Sequence, residues 1–296
     1  MYWFNPIKRL VLPPKEGRWR ERNYSDKNDC WTSDGQRVLP SVKPLYFNLD
    51  SKADLQAIGI EGPNKKTGEY KNRVYYKYSK VHVAGGADTK FSRVRKFEKD
   101  LPYIVKAIKR DASKRDEALV LSLIHDTAIR VGTEKDTKAT VKAYGAATLK
   151  CGNVKELDEK TVLDFIGKEG IHLVIPVEDS NVAKALHDRC RKVPQNRRMF
   201  NTNDDRIRDY LHSLPHGDGY KVSDWRPYHA TRIARELVAT TEAPKSTAEY
   251  KRKRKQIGVV VGLKLGNTPG MALGSYIDPK VFDPWKEFKP KPKVKK

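Results

Sequence analysis

Two arginines, a lysine, an amide and a tyrosine stand along this chain in settings that suit chemistry on a phosphodiester. Arg130 lies in AIRVGTE, Lys168 in the tight turn FIGKEG and Arg226 in DWRPYHAT; Asn267 and Tyr276 share LGNTPGMALGSYIDP, residues 265–279. Breaking a phosphodiester at neutral pH without metal makes four demands. They are a nucleophile, cationic donors for the equatorial oxygens of the pentacoordinate transition state, a proton for the leaving 5′-oxygen, and in-line alignment. Tyrosine suits the first because its phenolate leaves readily in the reverse step. Arginine, always charged and forked, is the best equatorial clamp. Lysine serves as general acid where its surroundings bring its pKa towards the working pH. Taken singly, each motif is ordinary. An arginine in an apolar helix is commonly half of an ion pair, G-K-x-G is commonly only a turn, and a lone tyrosine commonly packs. Asn267 alone reads as a helix stop, with Gly266 before it and Pro269 opening the next turn.

Such residues need elements to hold them. The first 80 or so residues read as β-rich: LYFNLD (45–50), AIGIEG (57–62) and NRVYYKY (72–78) are β-branched and aromatic segments between turn residues, with PNKKTGEYKNR a basic hairpin tip. After Thr89 apolar residues recur at helical spacing. The boundary is expected at AGGADT, 84–89, a hinge of small residues. Residues 145–177 return to strand texture, with VLDFI and IHLVIPV joined by GKEG. Helices are expected at 179–192, 203–213, 223–240 and 246–265. The organisation is thus α+β: a small N-terminal β-sheet domain (1–84), a mostly helical domain with an embedded hairpin or sheet (85–285), and a basic, disordered tail (286–296).

Bulk properties narrow the partner. The chain of 296 residues carries 60 Lys+Arg against 37 Asp+Glu, a formal net charge of +23. That excess favours a polyanion, since phosphate neutralisation with counterion release drives nucleic-acid binding. No run approaches the roughly 18 apolar residues of a membrane span, and the start MYWFNPIKRL lacks the apolar core of a signal peptide. Cys30, Cys151 and Cys190 are odd in number and widely spaced, which implies a reducing compartment rather than a disulfide framework. The seven histidines show no metal-ligand spacing, and there is no phosphate-binding glycine loop, so no cofactor is expected.

Five motifs in order, AIRVGTEKDT, YGAATL, FIGKEG, DWRPYHATRIARELV and LGNTPGMALGSYIDP, resemble the type IB DNA topoisomerases of bacteria and large DNA viruses. NRVYYKYSKV and TKFSRVRKFEKDLPYI extend the resemblance into the first half, so that it covers roughly residues 40 to 285. It implies the catalytic fold shared by tyrosine recombinases and these topoisomerases. By that resemblance Tyr276 forms a 3′-phosphotyrosyl DNA intermediate, and Arg130 and Arg226 bind the non-bridging oxygens. Lys168 protonates the leaving 5′-hydroxyl. Asn267 takes a place that is histidine in the poxvirus branch and asparagine in many bacterial members. The family often reads Lys-Asp-Phe/Leu-Arg-Thr around its second arginine, where this chain has Ser223-Asp224-Trp225-Arg226-Pro227; a supporting lysine is missing at 223, and Lys221 is the candidate substitute.

The implied partner is double-stranded DNA, gripped by a monomer that closes as a clamp. Supercoils of either sign would be relaxed without ATP, in the cytoplasm: at the nucleoid if bacterial, in the host cell or virion if viral. Tyr76, Lys77, Tyr78 and Lys80 match a family segment that touches DNA, and KRKRK (251–255) could lie along the backbone; these contacts position rather than specify. His229 is expected to pack or hydrogen-bond. A tyrosine recombinase shares the Arg–Lys–Arg–Tyr set but not the β-rich start, and the tail after Pro284 is mostly lysine. A non-catalytic DNA-binding protein of the same fold is the remaining alternative.

Overall fold

Strands give way to one long helix directly after residue 79, where β-branched and aromatic residues yield to helical spacing. The computed structural model describes residues 3–5, 10–63, 68, 73–137 and 142–288. The chain divides into two units, Met1–Lys90 and Phe91–Lys296. The mixture of small antiparallel sheets and helices is α+β, as the sequence implied.

In the first unit, β1 (Trp3–Asn5) pairs with β2 (Leu10–Leu12). The strands β3 (Trp19–Glu21), β4 (Leu45–Asn48), β5 (Leu55–Ile60) and β6 (Val74–Tyr78) form an antiparallel sheet in that order. Alternation sends Leu45, Phe47 and Ala57 to one face with Val38 and Val42. Ile58 and Ile60 go to the other with Val11. Gly59 is required where it stands, because a Cβ there would come within 2.5 Å of the Pro44 carbonyl oxygen. Most of PNKKTGEYKNR lies outside the described residues.

Helix α1 (Lys80–Asp111) runs unbroken through AGGADT, where a hinge was expected, and the division into units falls inside it, at Lys90/Phe91. Gly85 and Gly86 face open space and are tolerated in the helix, at the backbone-entropy cost usual for glycine. Beyond Phe91 the helix buries Phe91, Val94, Phe97, Leu101, Ile104 and Ile108, three or four residues apart.

The second unit continues with α2 (Asp116–Thr127) and the short α3 (Glu134–Thr137). A three-stranded meander follows, of β7 (Val154–Leu157), β8 (Lys160–Ile166) and β9 (His172–Pro176). Then come α4 (Ser180–Cys190), α5 (Asp204–Ser213), α6 (Trp225–Thr240), α7 (Thr247–Leu265) and the single turn α8 (Pro269–Met271). Side-chain caps set several starts: Asp179 accepts from the N–H groups of Asn181 and Val182, Asn203 from Arg206, and Ser246 from Glu249. The four expected helices are present with ends shifted by one or two residues.

Two apolar clusters build this unit. One joins Phe97, Leu101, Ile104, Leu121, Leu163, Leu186, Leu211 and Trp225. The other joins Ala230, Ala234, Val238, Ile257, Val261, Leu265, Ala272, Phe282 and Trp285. Helix α6 contributes to both. Phe282 and Trp285 belong to a run of 3-10 turns from Pro279 to Phe288. Residues 286–288 are therefore structured rather than part of the expected tail; 289–296 lie outside the described residues. Among the described residues no helix is long and apolar enough to cross a membrane.

Candidate active site

Arg130, Arg226, Asn267 and Tyr276 come together where the two apolar clusters meet. Helix α2 stops at Ala128, whose φ of 57° turns the chain out of the helix, and Arg130 follows two residues on. Its backbone is clamped by an adjoining 3-10 turn, Ala146–Thr148: the N–H groups of Ala146 and Ala147 donate to the carbonyls of Arg130 (2.8 Å) and Val131 (2.7 Å). Gly132 and Gly145 permit that approach, since a Cβ on Gly145 would lie 2.6 Å from the Arg130 carbonyl oxygen.

Asn267 is placed by the end of α7. Gly266 adopts φ 61°, ψ 45°, and the Asn267 N–H returns to the Gly262 carbonyl at 2.8 Å, a Schellman closure. Thr268 then caps the next turn through the Met271 N–H (3.2 Å), with Pro269 at its first position. A π-helical turn over Ala272–Tyr276 delivers the tyrosine, with Ile277 N–H bonded to the Ala272 carbonyl.

Within the cluster, Arg130 donates through Nη2 to the Tyr276 hydroxyl (3.1 Å) and, at the long limit of 3.5 Å, to Asn267 Oδ1. That leaves the Asn267 Nδ2 donor buried without a partner. Arg226 is 5 % exposed, and its Cζ lies 5.1 Å from the Tyr276 ring centroid. Its Nη1 holds the Ala128 carbonyl and its Nη2 the Leu265 carbonyl, both at 2.7 Å. Arg226 thereby ties down the backbone two residues before Arg130 and two residues before Asn267. The hub role of this arginine was invisible in the sequence, because its partners are main-chain oxygens 98 and 39 positions away.

The electrostatics follow from crowding. Burial, joined by the charge of Arg130, lowers the Arg226 pKa to about 10. Burial pushes the Tyr276 phenol up, but the charges of Arg226 and Arg130 outweigh it and leave the phenol below its ordinary value. Two guanidiniums held close and partly desolvated are poised for an anion, and they stabilise phenolate over phenol.

Lys168 sits in the turn between β8 and β9, exposed, with Gly170 at φ 77° completing the reversal. No contact joins its side chain to the other four. Its hairpin is nonetheless anchored near them, because Leu173 on β9 is wedged against two glycines. A Cβ on Gly266 would fall 2.6 Å from Leu173 Cδ2, and one on Gly167 2.7 Å from Leu173 Cδ1. Lys221 makes only a main-chain link, its N–H donating to Asp224 (2.9 Å), so nothing marks it as a stand-in for the lysine missing at 223.

His229 is buried beside His125, ring centroids 5.9 Å apart, and Trp225 Nε1 donates to His125 Nδ1 (3.3 Å). Burial is the main reason their pKa values fall to about 3 and about 4. Both are neutral packing residues at pH 7, as expected for His229.

The four residues expected from the sequence to touch DNA belong to the first unit. Tyr76 and Tyr78 point to one face of β6 and stack at 6.2 Å; Tyr78 stacks in turn on His82 at 4.9 Å, a ring missed in the sequence although it lies four positions on. Tyr76 packs partly against the Ile58 cluster, whereas Tyr78 is exposed. Lys77 lies half-buried on the other face, and Lys80 opens α1 exposed. In KRKRK, Lys253 turns inward to Glu249 (3.0 Å) and Arg254 lies over Phe282, so only Lys251, Arg252 and Lys255 face outward.

A tyrosine hydroxyl held by one arginine, its ring covered by a second, is the make-up of a phosphoryl-transfer site built from side chains. The family described as the catalytic core of eukaryotic DNA topoisomerase I matches residues 83–273. The chain belongs to this family. The match ends ahead of Tyr276, so that residue's candidacy stands on the geometry above. The chain is 30% identical over 177 residues to "DNA topoisomerase 1B" of Acanthamoeba polyphaga mimivirus, covering 53% of this chain and 50% of that protein. It is also 30% identical over 159 residues to "DNA topoisomerase 1 beta" of Arabidopsis thaliana, covering 51% of this chain and 17% of that protein. The matched regions thus span half or less of these curated relatives.

Proposed function

We propose that this protein is a type IB DNA topoisomerase that nicks one strand of a duplex, allows rotation and reseals it. The observation that carries this reading is Arg130 donating to the Tyr276 hydroxyl under the Arg226 guanidinium. Tyr276, its phenol already lowered, gives its proton to solvent and attacks phosphorus in line. The Tyr276 Oη–P bond forms as the P–O5′ bond breaks, and Lys168 from its hairpin supplies the proton to the departing 5′-oxygen. Arg130, the spare amide donor of Asn267 and the free N–H groups of Arg226 take the non-bridging oxygens. The phosphotyrosyl bond conserves the energy of the phosphodiester, so resealing is the same path reversed and needs no ATP.

On this reading a monomer closes on the DNA as a clamp. The Tyr78–His82 stack and Lys80 then meet one stretch of backbone, while Lys77 on the opposite face of β6 is left out of that contact, and the net charge of +23 supports the grip. The test is relaxation of positively and negatively supercoiled plasmid in EDTA, run beside Tyr276→Phe. Relaxation of both substrates by the wild type and of neither by the variant is expected. An inactive wild type, or an active variant, would overturn the proposal.

A further inference from the structure

Two arginines of α1 meet buried carboxylates that flank the candidate catalytic residues. Arg93 donates Nε to Asp224 Oδ2 (2.8 Å) and Nη2 to Asp224 Oδ1 (2.9 Å), a bidentate fork. Asp224 is 1 % exposed, also accepts the Lys221 N–H, and stands two residues before Arg226. Two positions along α1, Arg95 donates Nη1 to Asp278 Oδ2 in a short hydrogen bond. Asp278 is 4 % exposed and stands two residues after Tyr276. Its Oδ1 accepts the Lys280 N–H (3.0 Å), while its own N–H donates to Thr231 Oγ1 (3.1 Å). Thr231, on α6, donates onward to the Tyr276 carbonyl (3.4 Å).

These ion pairs are not what packs α1 onto α6. Apolar contact does that: the Phe97 ring lies edge-on to Trp225 at 4.7 Å, and Leu101 is buried in the same cluster. Arg235 and Glu98 add a further, more exposed pair between the two helices (2.8 and 3.1 Å). Buried ion pairs often contribute no more stability than well-packed apolar residues would. What a guanidinium on a buried carboxylate adds is a fixed geometry, and here it is added, by a fork at Asp224 and a single bond at Asp278, at the two chain segments whose spacing decides whether Arg226 covers Tyr276.

We propose that Arg93 and Arg95 are positioning residues for strand cleavage: through Asp224 and Asp278, one helix sets the distance between Arg226 and the Tyr276 nucleophile. The inference rests on the reading of the site under Proposed function. Neither arginine touches the substrate; each acts through its aspartate.

The experiment is single-turnover cleavage of a short DNA duplex at saturating enzyme. Rate, DNA dissociation constant and Tm are followed for wild type, Arg93→Met, Arg95→Met, Arg93→Lys and the exchange Arg95→Asp with Asp278→Arg. A misplacement of the order of an ångström can slow chemistry by about a hundred-fold. Each Met variant is therefore expected to cleave at least about ten-fold more slowly with DNA affinity within about two-fold of wild type. The exchange should recover part of the loss. The defect should persist on a duplex whose leaving 5′-oxygen is replaced by sulfur, because the impaired step is attack and not leaving-group protonation. If a Met variant does not fold, Arg93→Lys decides, since it keeps the charge but not the fork on Asp224; slower cleavage supports the proposal and wild-type cleavage overturns it. Folded Met variants that cleave at the wild-type rate, or a rate loss that only tracks the unfolded fraction, also overturn it. Failure of the wild type to cleave would instead remove the functional reading, so the two failures are distinguishable.

Discussion

The Arg226 guanidinium lies 5.1 Å from the centre of the Tyr276 ring while its terminal nitrogens hold the carbonyls of Ala128 and Leu265. One side chain thus covers the proposed nucleophile and secures the backbone bearing two of its neighbours. Arg226→Lys keeps a charge but cannot span both carbonyls. It should lower the cleavage rate by about 10²–10³-fold and destabilise the fold by about 1–3 kcal/mol for a buried carbonyl left unpaired. Cleavage kinetics and thermal unfolding of the same sample check this. A variant with wild-type Tm would leave Arg226 no structural part.

Arg130 is set apart from Arg226 by holding side chains rather than carbonyls. Arg130→Gln should therefore leave Tm nearly unchanged and let the Tyr276 phenol rise, because one of the two charges lowering it is gone. With less phenolate at a given pH, the rising limb of the pH–cleavage profile should move to higher pH. An unmoved limb would contradict the role given to this charge.

Lys168 and Leu173 should fail in a common way. Lys168→Ala is expected to slow cleavage by about 10²–10⁴-fold, and Leu173→Ala, by loosening the hairpin from Gly266, by about ten-fold. A thiolate leaves without a proton, so a 5′-sulfur substrate should restore both. Restoration of neither would remove Lys168 from the proton path.

The buried imidazoles predict acid sensitivity. Well above the ordinary histidine pKa of 6.5, His125 and His229 are neutral folded and unfolded, and neither changes stability. As pH falls from 6.5 towards 4 the unfolded chain takes up protons that the native state refuses, since burial holds the native values at about 4 and about 3. Each histidine should then remove about 1.4 kcal/mol of stability per pH unit. His229→Gln should flatten the slope of denaturant-derived stability against pH in that window; an unchanged slope would refute the assignment.

Gly85 and Gly86 face open space in α1, so alanine fits both. The double variant should stabilise the helix by about 1–2 kcal/mol and raise Tm. If bending here serves clamp closure, DNA association should slow as well; a higher Tm with unchanged association would free α1 of that duty.

Much of this protein was legible in its residues. The charge excess, the β-rich start, the four later helices and the GKEG hairpin follow from composition, from the period of apolar residues and from turn chemistry, all local properties. LGNTPG was readable as a stop and restart because glycine, threonine and proline act on their own backbone, and the structure closes that turn accordingly. The expected hinge was not, because two glycines weaken a helix without breaking it when α1 packs its apolar stripe beyond them. Nor were the links among distant groups: Arg226 to Ala128 and Leu265, Leu173 to Gly266, Arg95 to Asp278. Sequence determined which groups were available for phosphodiester chemistry and on which elements they ride. Only the tertiary structure decided that two arginines crowd one tyrosine, because hydrogen bonds and buried charges join residues by distance in space, not by spacing along the chain.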